Sequence, residues 1–265
     1  MAGLKDTTIA TGYQSLIRID SNTGVQSSAI QATDGAGVNL PMSIGKEAVV
    51  VSPTSTNGTA FEVKTAGGAS SRFQVNTSTP FVTALGNYVN TQYAHFGVSS
   101  TDSTAFADDT HQAIPFGGSN GMGDRTYPPE FGTSTDPETT FTTADSNNHR
   151  ASDLVPCLWF VPDNITIDDV YAFVGSDHAT ADTATRIHLF QYTFNSGSTS
   201  ALTSGSVVAH SIADTNNAGS EQAYKTTLQK SVTDIAAGQV IVATFRSDSI
   251  NGDFSISITC KYHLR

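Results

Sequence analysis

Few residues of this chain are spaced for chemistry. The segment "GGSNG", Gly117 to Gly121, has the glycine–x–serine–x–glycine spacing of a nucleophile elbow. An elbow needs a strand before it and a helix behind it, so that the serine hydroxyl is lifted towards a histidine. Here "MGDRTYPPE" follows, and Pro128 and Pro129 oppose a helix. The segment reads as a turn. "GVNLPMSIGKE" ends in Gly45-Lys46, but seven residues separate its glycines where a phosphate-binding loop has four. It reads as a strand and a turn.

The remaining candidates are equally bland. The seven histidines (His95, His111, His149, His178, His188, His210 and His263) include no H-x-H or H-x3-H pair, so spacing predicts no zinc site. His188, between Ile187 and Leu189, reads as a satisfied strand residue. Asp163, Asp168, Asp169, Asp177 and Asp182 cluster near turns, but the ordered pattern of a calcium loop is absent. Capping of Asx-turns is the stronger reading. Cys157 and Cys260 are too far apart for a CxxC motif, and buried free thiols are favoured over a disulfide. Both fall in strong strand segments, so they could prove to be neighbours. Asn57, Asn76 and Asn164 match the glycosylation sequon and read as chance matches in an Asn/Thr-rich chain. Glycosidic cleavage needs paired carboxylates in a groove, and no pair stands out. The expectation is no catalytic residue, no cofactor, no metal, and no enzyme.

The composition agrees. Of 265 residues, 38% are hydrophobic and only 14% charged, with a net charge of −11. Ser, Thr, Asn, Gln and Gly fill the difference, which suits short strands and turns. An acidic chain without a run of Lys or Arg does not suit a nucleic-acid partner, which demands a basic surface. No stretch approaches the roughly 20 apolar residues of a membrane span. Met1 to Tyr13 holds one lysine and no apolar core of a leader, so synthesis in a cytoplasm without membrane insertion is expected.

The elements that must carry any function are strands. Ser220–Val232 is the one stretch that could be drawn as a helix, and it fits a strand equally well. Short strands are predicted over 13–20, 37–44, 48–51, 79–85 and 91–98. Two matching segments, Phe61-Glu62-Val63 and Phe73-Gln74-Val75, flank a Gly67-Gly68 turn. Residues 101–150 are rich in Gly, Pro, Asp, Ser and Thr and read as a loop region. From 151 to 265, seven strands at short spacing predict an antiparallel sandwich. Its last strand alternates Phe254, Ile256, Ile258, Cys260 and Tyr262 with polar residues. The expected division is an attachment region over 1–52, a β-stem over 53–100, the loop region over 101–150 and a sandwich over 151–265.

The two Phe-x-Val strands pose a physical problem. Each offers about 3–5 kcal/mol of side-chain burial, while ordering each residue's backbone costs about 1–2 kcal/mol. Residues 1–100 lack the apolar mass to close a core around them. Three chains wrapped about one axis would pool their stripes into a shared interior. Phe61, Val63, Phe73 and Val75 are therefore the expected interface residues of an intertwined homotrimeric stem.

The stretch "STNGTAFEVKTAGGASSRFQVNTSTPFVTALGN" resembles the stems of bacteriophage tail-fibre and head-fibre proteins. Val232–Tyr262 is similar to the closing strands of the jelly-roll knobs that cap such fibres. The resemblance implies a virion component, made in the host cytoplasm and released in the particle. It implies docking to capsid, neck or tail by the N-terminal part, and a C-terminal knob facing host or solvent for host-surface adhesion. The short stem leaves open a head fibre, a decoration protein or a neck appendage. The alternatives are a capsule-degrading spike enzyme and a carbohydrate-binding module. The module would share the fold and bind a host glycan through loop aromatics, with Tyr127, Phe131 and Phe141 as the candidates. The competing reading packs those aromatics onto the knob.

Overall fold

The computed structural model describes residues 17–19, 24–34, 37–79, 81–100, 109–117, 129–132, 151–176, 183–198, 201–211, 215–217, 222–247 and 254–265. They are nearly all β, and the chain divides into two compact units, Met1–Val89 and Asn90–Arg265.

The first unit holds two antiparallel sheets of four strands each. One runs in sequence order through β1 (Arg18–Ile19), β2 (Ile30–Thr33), β3 (Asn39–Ile44) and β4 (Val49–Val51). The other runs through β5 (Phe61–Lys64), β6 (Ser71–Val75), β7 (Val82–Ala84) and β8 (Asn87–Tyr88). Turn chemistry fixes the connections. Asp34 accepts the Val38 N–H at 2.8 Å through its carboxylate, and Gly37 closes that turn at φ +84°. The β5–β6 turn places Gly67 and Gly68 at φ +84° and +74°, a region that only glycine enters without strain. Two of the sequon asparagines act as turn formers. The Asn57 side chain accepts the Thr59 N–H at 2.9 Å, and that of Asn76 accepts the Ser78 N–H at 2.8 Å.

The second unit contains β9 (Thr91–Ser100), β10 (Gln112–Ile114), β11 (Leu158–Phe160), β12 (Ile165–Ser176), β13 (Thr183–Phe194) and β14 (Leu202–His210). It continues with β15 (Thr215–Asn217), β16 (Gln222–Thr227), β17 (Gln229–Lys230), β18 (Asp234–Ile235), β19 (Gln239–Ser247) and β20 (Phe254–Leu264). One sheet has the order β16-β12-β20-β9, and the other β10-β19-β13-β14-β17. All pairings are antiparallel. All seven strands predicted after residue 151 are present, and the ambiguous Ser220–Val232 stretch supplies β16.

The predicted alternation on β20 holds. Ile256, Ile258 and Cys260 are buried, while Ser255 and Ser257 are exposed. They meet Phe96 and Val98 of β9, Val170, Ala172 and Val174 of β12, and Ile187, Leu189, Ile241 and Phe245 of the facing sheet in one core. A second apolar layer covers the outer face of β13 and β19. There Phe190, Tyr192, Val240 and Val242 pack with Phe131, Leu154 and Cys157. A one-turn helix, α1 (Ala151–Leu154), and the 3-10 turn Val155–Cys157 provide part of that cover.

Two boundaries differ from the sequence reading. β9, expected at the end of the stem, pairs over its whole length with β20 from Thr91↔His263 to Ser100↔Phe254. The loop region also contributes: β10 pairs with β19, and Ala113 N–H donates to Pro129 O at 2.9 Å. The reason is shared burial. Ala94, Phe96, Val98 and Ile114 are the apolar partners that the later strands need. The second unit therefore begins at Asn90, well before residue 151. At the start of the predicted 151–265 region, α1 and the 3-10 turn precede the first strand, and Pro156 lacks the N–H of a ladder.

Candidate functional site: an unburied apolar face

Phe61, Val63, Phe73 and Val75 fall on one face of one sheet. The register pairs Phe61 with Val75 and Val63 with Phe73, and the Phe61 and Phe73 rings meet edge-on at 6.2 Å. The same face continues through Val82, opposite Val75, and Ala84, opposite Phe73. The sequence reading missed these two, because single small residues in short strands carry no periodic signal. The other face is polar. There Glu62 accepts a hydrogen bond from the Ser71 hydroxyl and pairs with Lys64 at 3.0 Å. These two contacts, that with Ser71 the larger, hold the Glu62 carboxyl below its ordinary value.

The described residues leave this apolar face partly exposed. Phe61 is 46% and Val63 47% exposed, and Phe73 and Val75 are partly so. Throughout the described part of the first unit, Ala32 is the one buried hydrophobic residue. The edge strand β4 exposes all three of its valines, Val49, Val50 and Val51. Its ladder has a fixed phase: Ser52 N–H donates to Pro41 O at 3.0 Å and Gly45 N–H to Ala48 O at 2.7 Å. Antiparallel alternation then directs the backbone groups of Val49 and Val51 away from β3, towards the open edge. The hairpin β7–β8 turns on Leu85 (φ +53°) and Gly86 (φ +82°), the conformation of a type I′ turn. Leu85 is strained there and 66% exposed.

The other candidates resolve differently. Phe131, proposed for surface binding, is fully buried and packs towards Tyr192 with ring centroids 6.2 Å apart. It cannot reach a surface ligand, because the Pro129–Gly132 segment runs along β10 and turns the ring into the second apolar layer. Tyr127 and Phe141 lie outside the described residues. His188 is buried and central to a ring stack, 4.8 Å from the His111 centroid and 5.7 Å from that of Phe190. Asp168 sits at the bulge in β12 and pairs with His263 Nδ1 at 2.9 Å, while Asp169 lies 4.0 Å from Lys230. Asp177 and Asp182 lie outside the described residues. No three His, Cys, Asp or Glu side chains among the described residues are grouped to hold a metal.

Both cysteines are buried free thiols. They are not neighbours: Cys260 faces the inter-sheet core, and Cys157 belongs to the layer on the outer face of the other sheet. Burial pushes the Cys260 thiol up from 9.0 to about 12. No family model matches the chain, and no curated protein matches it in sequence.

Proposed function

We propose that this chain is a homotrimeric structural component of a bacteriophage virion. In this reading it is a fibre, spike or decoration protein that docks through its N-terminal part and carries a C-terminal knob. The observation that supports self-assembly most is the first unit's burial. It orders two four-stranded sheets, yet within its described residues only Ala32 is a buried hydrophobic. Strands without a core are marginal in water, and the Phe61, Val63, Phe73 and Val75 face is the natural lining of an interior shared between chains.

The knob reading draws on strand order. In chain order the strands on the main paths of the two sheets, apart from the two-residue β17, are β9, β10, β12, β13, β14, β16, β19 and β20. One sheet reads first-eighth-third-sixth and the other second-seventh-fourth-fifth. That order is the one expected of a jelly roll's double Greek key, and it supports the knob reading. The virion assignment rests on the resemblance of the stem and knob segments to phage fibres, not on matched relatives.

Light scattering on the full chain tests the assembly. A mass of three times the 27.8 kDa chain is expected. A monomer at micromolar concentration overturns the trimer. Mass spectrometry of purified particles tests the virion assignment, and absence of the chain from particles in a producing culture overturns it. A second reading, glycan binding, is favoured by one observation. Tyr93 and Phe173 are 59% and 52% exposed on the flat face of a sheet instead of on loops.

A further inference from the structure

The outer face of the β16-β12-β20-β9 sheet has an unusual inventory. Alternation turns Ala94, Phe96, Val170, Ala172, Ile256 and Ile258 inward, so their neighbours face out. The ladder then sets those neighbours in rows. Phe173 lies between Lys225 and Ser257, Tyr171 between Thr227 and Thr259, and Lys261 between Asp169 and Tyr93. The Lys225 amine sits 5.3 Å from the Tyr171 ring centre, and His95 Nδ1 contacts the Thr259 hydroxyl at 3.2 Å. Tyr93 and Tyr171 are two strands and one row apart, roughly 12 Å from strand spacing and rise.

The lysines of this unit mark this face. Residues 90–265 contain three lysines, Lys225, Lys230 and Lys261. Lys225 and Lys261 project from this face, and Lys230 reaches its margin beside Asp169. In a chain of net charge −11, all the lysines of this unit gather on one surface. The face also has one open position. A Cβ added at Gly175 would meet nothing within 4 Å, and no positive φ demands glycine there. Packing does not explain the missing side chain, whereas an extended ligand crossing the face would.

We propose that this face is a binding platform for an extended acidic polysaccharide. Exposed Tyr93 and Phe173, with partly covered Tyr171, present aromatic faces whose negative quadrupole meets the axial C–H bonds of pyranose rings. The interspersed hydroxyls match sugar hydroxyls. Lys225 and Lys261 supply point charges for carboxylate or other anionic substituents. A second copy of the chain is the less favoured occupant, because lysine is depleted from the cores of protein interfaces. The inference deepens the host-surface role and stands apart from the trimer.

Titration of the full chain with polygalacturonate, and with neutral dextran as control, tests it while light scattering follows assembly. Polygalacturonate should bind, dextran at least tenfold more weakly. Tyr93→Ala and the pair Lys225→Gln with Lys261→Gln should each weaken binding tenfold or more, the lysine effect fading in high salt. Gly175→Gln, which the fold has room for, should block binding with the circular dichroism spectrum unchanged. All these variants should keep the parent's mass. No binding of polygalacturonate, equal binding of dextran, or binding indifferent to these substitutions overturns the platform. A drop in mass on Tyr93→Ala also overturns it, by making the face an interface between copies. A parent protein that is monomeric yet binds leaves the platform standing and removes the trimer instead.

Discussion

Phe73 lies at the centre of the apolar face, opposite both Val63 and Ala84 and against the Phe61 ring. If this face lines the proposed interior between chains, Phe73→Asp puts a carboxylate into it, and light scattering should report monomer. The melting transition of the Asn90–Arg265 unit should remain, because that unit has a separate core. An assembled variant would remove these side chains from the interface. The thiols give a second test. Cys157 and Cys260 are both buried, so a thiol reagent at pH 8 should label them only on unfolding. The pH dependence of Cys260 has a definite sign. Its folded pKa is raised from 9.0 to about 12, so its neutral form contributes stability in full below pH 9. Above pH 9 the unfolded thiol ionises while the folded one does not, and stability falls towards pH 12. Cys260→Ala should flatten that part of the urea-denaturation profile. A third residue, Tyr192, buries its hydroxyl without a hydrogen-bond partner among the described residues. An unpaired buried hydroxyl costs about 1–3 kcal/mol, so Tyr192→Phe should match or exceed the parent in denaturant.

At the scale of elements, the open edge of β4 and the β7–β8 hairpin separate two effects. Val51→Pro removes an N–H that points away from β3 and so spares the ladder inside the chain. If chains pair along that edge, light scattering should show the variant dissociating at higher concentration than the parent. Leu85→Asn should relieve a left-handed leucine, a conformation that costs about 1–2 kcal/mol. The thermal midpoint of the first unit should rise with no change in mass. The sequence showed β4 as a valine run and β7 within 79–85, but not β2 or β8, which carry too few apolar residues for a periodic signal. It could not show which strands share a sheet. β9 looks like its stem neighbours in isolation, and only its pairing with β20 and the packing of Phe96 and Val98 into the inter-sheet core assign it to the second unit. The same limit hid the aromatic platform. Tyr93, Tyr171 and Phe173 come from two strands far apart in the chain, and their common face exists only once β20 lies between them.

For the whole molecule, the dividing line between units is testable by truncation. A fragment of residues 90–265 should fold cooperatively, with a near-native β spectrum. One starting at residue 151 should not, since it lacks β9, β10 and the Phe96, Val98 and Ile114 side chains of the core. Independent folding of the shorter fragment would return the boundary to the loop region.

The position of β20 also constrains the order of events during synthesis. It is a central strand, hydrogen-bonded to β12 on one side and β9 on the other, although it is made more than 150 residues after β9. While the ribosome is still translating residues 101–253, β9 has no partner and the core has no lid. Long-range pairing of this kind folds slowly and leaves strand edges open to wrong partners. Residues 1–89 leave the exit tunnel well before that, with their apolar faces already displayed. If the chains assemble as proposed, neighbouring nascent chains on a polysome would meet through those faces before any of them has closed its second unit, and registration of the chains would be an early step of biogenesis rather than its last.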